Sequence, residues 1–181
     1  MKKENTAMYV LRLAVTLLII AGVMAAALAG VNSITAPEIA AKKAEKTQAA
    51  IAVVLPGGGT EVEAPATDLV SKVYKGENGY AVEVTPSGFD NTITMMVGID
   101  NEGKVTGISV ISHTETAGLG AVAAENTSRG EEFRGQFAGL SGTVSVTKDG
   151  GQVEAISGAT ITSRAICKGV EAALAVVAAM G

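Results

Sequence analysis

The run Ser157-Gly158-Ala159-Thr160-Ile161-Thr162-Ser163 places hydroxyls and small side chains at the head of a long helical pattern that continues to Met180. Small residues let a ligand approach the backbone, and the first amides of a helix have no intrahelical partner. Those free donors and the helix dipole favour an anion. The hydroxyls of Ser157, Thr160 and Thr162 add donors, and any one of them could be the nucleophile that forms a phosphate ester. Equally, Ser157 or Thr160 could simply cap the helix. Spacing alone leaves both readings open.

A second constellation is His113-Thr114-Glu115-Thr116-Ala117-Gly118-Leu119-Gly120. It follows a β-branched stretch, so it emerges from a strand end into a loop, where ligand contacts are common. His113 is the only histidine and has no serine–aspartate set to complete; taken alone it is a structural or surface residue. Glu115 between two threonines reads by itself as a solvated carboxylate. Gly118-x-Gly120-x-x-Ala123 imitates a dinucleotide-binding turn, but residues 114–117 intervene and no second strand with an acidic tip follows. A close-approach turn, with Leu119 offering an apolar contact, fits better.

The elements that must position these residues are short and antiparallel in character. Residues 69–75 and 80–85 are strand candidates around Glu77-Asn78-Gly79, a hairpin turn. Residues 92–99 and 105–112 flank Asp100-Asn101-Glu102-Gly103, a second hairpin. Residues 119–126 and 131–137 read as short helices, and 143–147 and 152–156 as further strands leading into the Ser157 run. Hairpins with helices segregated around them predict an α+β fold built on a mostly antiparallel sheet. In the terminal helix, Ile166, Val170, Ala173, Leu174 and Val177 share a face, and Arg164, Lys168 and Glu171 lie opposite. Thr162 falls at the edge of the apolar stripe and Thr160 nearer the polar side. Met95-Met96 reads as strand packing, and Cys167 as an inert, buried thiol.

Residues 13–31 carry no charge and are long enough to cross a bilayer core of about 30 Å as a helix. Lys2, Lys3 and Arg12 precede them, whereas Pro37 and Glu38 begin the far flank. The positive-inside rule then puts the N-terminus in the cytoplasm and the rest of the chain outside. Ala27-Leu28-Ala29 has the form of a signal-cleavage site, but the apolar run exceeds a signal core, so a retained single-pass anchor is expected. Thr35-Ala36-Pro37-Glu38 matches a capping box, and 39–55 reads as a helix continuing outward from the membrane, ended by Pro56-Gly57-Gly58-Gly59. The expected domains are therefore 1–34 (tail and anchor), 35–67 (outer helix and linker) and 68–181 (the main domain).

Beyond the basic N-terminal residues the chain is more acidic than its net −4, which argues against nucleic acid. One cysteine excludes an internal disulfide and any multi-cysteine metal or iron–sulfur site. No internal repeat is evident.

Ser157-Gly158-Ala159-Thr160-x-Thr162 resembles the flavinylation motif of the G subunit of the Rnf electron-transport complex and of the C subunit of the related Nqr complex. In those families FMN is joined through its phosphate to the last threonine of the motif, here Thr162. The His113–Gly120 segment is similar to the family pattern His-x-Glu-Thr-Pro-Gly-Leu-Gly, with Ala117 in place of the usual proline. The two motifs come in the family's order, with Phe133-Arg134-Gly135-Gln136-Phe137 between them also similar. The likeness covers nearly the whole chain, whose short length fits the Rnf protein better.

The resemblance implies a membrane-anchored flavoprotein with covalent FMN on Thr162. Ser157, Gly158, Ala159, Thr160, Glu115, Thr116 and Leu119 would then surround the cofactor. Such a subunit relays electrons, without turnover of its own, in a complex between ferredoxin and NAD coupled to sodium or proton export. The implied partners are the other membrane and peripheral subunits and a flavin transferase for maturation. With no tryptophan and few aromatics, an exposed ring held by one covalent bond suits the composition. Two alternatives are an FMN-domain protein of another extracytoplasmic electron chain and a pilin-like structural surface protein. Against the second, the apolar run lacks an acidic residue.

Overall fold

The computed structural model describes residues 6–65 and 67–180, which fall into two compact units, Met1–Ala44 and Glu45–Gly181. Lys2 and Lys3, on which the expected orientation partly rests, lie outside the described residues.

The first unit is helical. Helix α1, Thr6–Val54, begins here and runs without a break. Leu17, Leu18, Ile20 and Leu28 along its apolar run are exposed. The charge-free residues 13–31 alone span about 29 Å at 1.5 Å per residue, the thickness of a bilayer core. It is the one helix among the described residues long and apolar enough to cross a membrane.

The capping box expected at Thr35 does not form. Thr35 is helical, and its hydroxyl donates backwards to the Val31 carbonyl at 3.0 Å instead of accepting from a forward amide. Pro37 sits inside the helix and leaves the Ser33 carbonyl without its usual donor. Alanine-rich sequence on both sides favours continuing the helix, and this outweighs one missing bond.

The second unit is an antiparallel meander with both faces covered. Strands β1 (Thr60–Val62), β2 (Val70–Gly76), β3 (Gly79–Val84), β4 (Thr94–Asp100) and β5 (Val105–Ser112) pair in sequence order. Strand β1 forms inside the stretch that the sequence presents as linker. The fold class is α+β, as the hairpin pattern predicts. Gly79 closes the β2–β3 turn at φ +143°, with the Ile99 carbonyl where a side chain would be. Asp100 closes the next, its Oδ1 accepting from the Glu102 and Lys104 amides at 2.9 and 2.8 Å.

Successive residues of each strand face opposite layers. Val73, Val82, Met95 and Val97 pack on one side with Ile166, Val170 and Ala173 of α3 (Thr160–Met180). Tyr74, Ala81, Met96 and Ile111 pack on the other against Ala50, Ile51, Val54 and Leu55, at and just beyond the end of α1. Met95 and Met96 thus anchor the two layers separately.

Between β5 and α3 the chain is mostly irregular. The helix expected over 119–126 is a 3-10 turn, Gly120–Ala124, and that over 131–137 is α2, Ser128–Gly135. Helix α2 starts earlier because the Thr127 hydroxyl caps it, accepting from the Gly130 amide at 3.3 Å. The strands expected at 143–147 and 152–156 are not sheet strands. Their one ladder contact is a single parallel bridge, Val146 to Val153, around the 3-10 turn Thr147–Asp149. Gly150 turns at φ +84° and Gly151 lies against the Ser145 backbone, so the segment folds on itself. Its apolar residues Val144, Val146 and Val153 are spent as core anchors.

Candidate functional site

The start of α3 is built by a buried serine. Gly158 turns at φ +80°. The Ser163 hydroxyl then accepts from the Ile156 amide and donates to the Ala159 carbonyl, both at 3.0 Å. Ser163 is fully buried, so these two bonds tie the approaching chain to the first helical turn. Amides at the helix start ahead of Ser163, which bonds to the Ala159 carbonyl at 3.0 Å, belong to the turn that lacks intrahelical acceptors.

On this turn the two threonines diverge as the helical period predicts. Thr160 is half-buried on the polar side, where the Lys148 ammonium donates to its hydroxyl at 3.5 Å. Thr162 is 2 % exposed and points toward the sheet side, where its hydroxyl donates to Glu115 Oε2 at 2.5 Å. Glu115 is itself 8 % exposed. Its other oxygen accepts from the amides of Phe89 and Asp90, at 2.9 and 3.4 Å. Those amides are presented by a tight loop in which Gly88 N–H meets the Asn91 carbonyl and Ile93 N–H the Pro86 carbonyl, both at 2.8 Å.

Two glycines make room for the carboxylate. A Cβ on Gly88 would strike Glu115 Oε1 and come within 2.9 Å of Ile93 Cδ1. A Cβ on Gly120 would strike Glu115 Oε2 and lie 2.6 Å from the Thr162 hydroxyl oxygen. Gly120 is therefore required by close approach, not by backbone strain, since its φ is not positive.

A cavity of about 330 Å³ opens over this pair. Its rim is apolar: Phe89 is 68 % exposed, Ile161 50 % and Leu119 42 %. Lys148 stands at its edge on the 3-10 turn Thr147–Asp149. That turn is pinned to α3 by Asp149, which receives both Arg164 Nε and Nη2 at 2.6 Å. The Arg164 guanidinium holds the Asp149 carboxyl below its usual range. A cation, helix-start amides and an esterifiable hydroxyl lie beneath three exposed apolar side chains. This set suits a phosphorylated, flat aromatic ligand such as FMN, with the phosphate at the helix start and the ring on the rim.

Of the residues singled out in the sequence, Glu115, Thr116, Leu119, Gly158, Ala159, Thr160 and Thr162 all line this cavity. Ser157 does not; it is exposed and borders a separate hollow with Phe133 and Gln136. His113 also lies elsewhere, in a hollow of about 600 Å³ beside Lys46 and Arg134, with its Nδ1 buried and unpartnered among the described residues. That hollow and another near Tyr80 and Leu174 are larger than the Thr162 cavity, but neither brings a hydroxyl onto a buried carboxylate. Phe89, Gly88, Lys148 and Ser163 are site residues that sequence reasoning passed over. The signal for Phe89 was an aromatic in the turn-forming run Pro86-Ser87-Gly88-Phe89-Asp90-Asn91 of a chain with only three phenylalanines. The Cys167 thiol, on the buried face of α3, is pushed up to about 12 by burial.

Residues 88–175 match the family model of the FMN-binding domain, a span that contains every residue of the cavity. The class is thus an FMN-binding protein. Over a longer stretch the chain is 36 % identical to the G subunit of the ion-translocating oxidoreductase complex of Methanosarcina acetivorans, covering 91 % of this chain and 93 % of the relative. It is 31 % identical to the G subunit of the Na(+)-translocating ferredoxin:NAD(+) oxidoreductase complex of Acetobacterium woodii, covering 92 % and 91 %. The G subunit of the proton-translocating ferredoxin:NAD(+) oxidoreductase complex of Clostridium ljungdahlii is 38 % identical over 52 % of this chain and 51 % of its own. The chain belongs to the family of G subunits of ion-translocating oxidoreductase complexes. That membership leaves the pilin-like reading without support.

Proposed function

We propose that this protein is the flavin-bearing G subunit of an Rnf-type membrane complex, relaying electrons through an FMN held covalently on Thr162. The observation that carries the reading is the Thr162 hydroxyl, presented to a cavity with an apolar rim, inside the segment that matches the FMN-binding domain. When bound, FMN supplies the redox chemistry. The chain's own residues attach and orient it. Thr162 provides the ester oxygen, Lys148 and the helix-start amides counter the phosphate charge, and Phe89, Leu119 and Ile161 support the ring. Gly158, Ala159, Thr160, Glu115 and Thr116 complete its surroundings. The relatives named for ferredoxin and NAD support the same pair of redox partners here. Their names differ in the ion, sodium in one and protons in the other, and the task of the flavin-bearing chain is the same with either.

The apolar part of α1 serves as a retained single-pass anchor, with the N-terminus cytoplasmic and the flavin-bearing domain, 68–181, outside. Arg12 before the apolar run and Glu38 after it support that orientation. A phosphoester keeps the cofactor from being lost in that compartment. A flavin transferase installs it, and the remaining subunits of the complex exchange electrons with it.

The test is covalent flavin on Thr162. Protein made with a flavin transferase should gain the mass of FMN less one water and fluoresce in a denaturing gel. Thr162→Ala should abolish both, and Thr160→Ala should only lower the yield. Full labelling of Thr162→Ala would overturn the attachment.

A further inference from the structure

We propose that Glu115 is the proton acceptor for the modification of Thr162, so that the chain carries part of the catalytic apparatus for its own flavinylation. The inference rests on Thr162 as the attachment site and adds a role that the attachment alone does not require.

Ester formation between a threonine hydroxyl and free FMN expels water and is unfavourable in water, so the donor must be activated. The chemistry calls for a flavin phosphoanhydride, in which the FMN phosphoryl is joined to a nucleoside monophosphate. Thr162 Oγ1 attacks that phosphorus, an O–P bond forms, and the bridging P–O bond breaks. The nucleoside monophosphate leaves with the electron pair, and the Thr162 proton has to go to a base. No atom changes oxidation state.

The geometry supplies that base. The Thr162 hydroxyl already donates to Glu115 Oε2 at 2.5 Å, within the reach required of a general base. Glu115 Oε1 is fixed by the amides of Phe89 and Asp90, so the carboxylate cannot turn its second oxygen elsewhere without breaking those bonds. Gly120 and Gly88 each give up a side chain to the carboxylate's two oxygens. A group that merely filled space would not need both oxygens cleared and both occupied.

Among the described residues, no other carboxylate touches Thr162: Asp149 is engaged by Arg164. Lys148 stands on the Thr160 side, where it can meet the phosphoryl oxygens but not accept a proton from Thr162.

The experiment uses the full chain, made without a flavin transferase, in detergent. It is mixed with excess purified transferase and flavin adenine dinucleotide, the common flavin phosphoanhydride. The initial rate of covalent flavin is read by gel fluorescence and intact mass. Glu115→Gln should slow labelling by about 100-fold or more, the usual reach of general base catalysis. Its rate should climb with pH as hydroxide replaces the carboxylate, unlike the wild type. Glu115→Ala should be as slow, and formate should restore part of its rate. Glu115→Asp keeps a carboxylate and should be intermediate, which covers a Gln or Ala variant that fails to fold.

Labelling of Glu115→Gln at the wild-type rate overturns the proposal, and so does a folded Glu115→Asp that labels no faster than Glu115→Gln or Glu115→Ala. So does a folded Glu115→Ala that neither formate nor alkaline pH rescues, because Glu115 would then only position Thr162. Thr162→Ala in the same assay separates the two readings. Label persisting there removes the attachment site itself, whereas its loss together with normal labelling of Glu115→Gln removes only the base.

Discussion

Replacing Gly120 with alanine would press a methyl group between the two partners of the central hydrogen bond. The added Cβ would lie 2.6 Å from Thr162 Oγ1 and 3.0 Å from Glu115 Cβ, and would strike Glu115 Oε2. Comfortable contacts of this kind are about 3.5 Å, so the hydroxyl or the carboxylate must retreat by roughly an ångström. That lengthens a 2.5 Å bond past any useful reach. Overpacking of this size costs about 1–3 kcal/mol, and losing a charge-assisted bond about 1.5–3 kcal/mol. Removing glycine's freedom in the unfolded chain returns about 0.4–1 kcal/mol. The net loss is about 3 kcal/mol, a fall in melting temperature of roughly 6–12 °C for a unit of this size. Thermal melting of the full chain in detergent reads the stability, and in-gel fluorescence after treatment with flavin transferase reads the modification, which should drop at least about tenfold. Gly118→Ala is the control, since Gly118 has φ +74° and nothing within 4 Å of a Cβ. It should lose about 1–2 kcal/mol to backbone strain and label normally. A Gly120→Ala chain that melts and labels like the wild type would refute the crowding argument.

Leu119→Ala removes one exposed apolar wall of the cavity without touching Thr162 or Glu115, so labelling should stay near normal. The flavin midpoint potential should move by about 10–30 mV, which corresponds to less than about 1.5 kcal/mol for a two-electron couple; an unchanged potential and spectrum would put the ring elsewhere. Cys167, with its thiol pushed up to about 12, should resist iodoacetamide in the folded protein at pH 8.5 and react promptly in denaturant, as counted by intact mass. Because the unfolded thiol ionises first, its contribution leaves stability unchanged below about pH 9 and lowers it between about pH 9 and about 12; Cys167→Ala should flatten that decline. Gly98→Ala should destabilise the chain by about 1–3 kcal/mol in urea unfolding, because its Cβ would strike the Val54 carbonyl and lie 2.8 Å from Val54 Cβ.

Parts of this arrangement could be read from one dimension and parts could not. The divergence of Thr160 and Thr162 follows from helical period, so the face of Thr162 was visible in the pattern of Ile166, Val170 and Ala173. The four longer strands were marked by β-branched runs between turn residues, and their observed limits differ by no more than two residues. Glu115 could be named from its motif, but its contact with Thr162 spans 47 residues and depends on how the loop at 88–91 folds over it. Neither propensity nor period carries that information. The segment 143–156 misled because alternating valines look the same whether they pair along a sheet or plug a core one at a time. Thr35-Ala36-Pro37-Glu38 misled because a capping box is a local signal, and helix continued from both sides overrode it.

Strand β4 is buried on both faces from Met95 to Ile99, so after a slide of one residue its apolar run would still face both layers. Alternation cannot index such a strand. Gly98 can, because it alone fits beneath the Val54 carbonyl and the Thr106 hydroxyl. Shifting the strand either way would drive Val97 or Ile99 into that gap. The keyed position reaches far beyond its own neighbourhood. Strand β5 takes its alignment from β4, with Gly98 opposite Gly107, and Glu115 comes three residues after β5 ends. A one-residue slip would carry the carboxylate about 3.3 Å along the strand, farther than the 2.5 Å that joins it to Thr162. A missing side chain under the end of one helix thus serves as the ruler for a proton-sharing contact at the start of another.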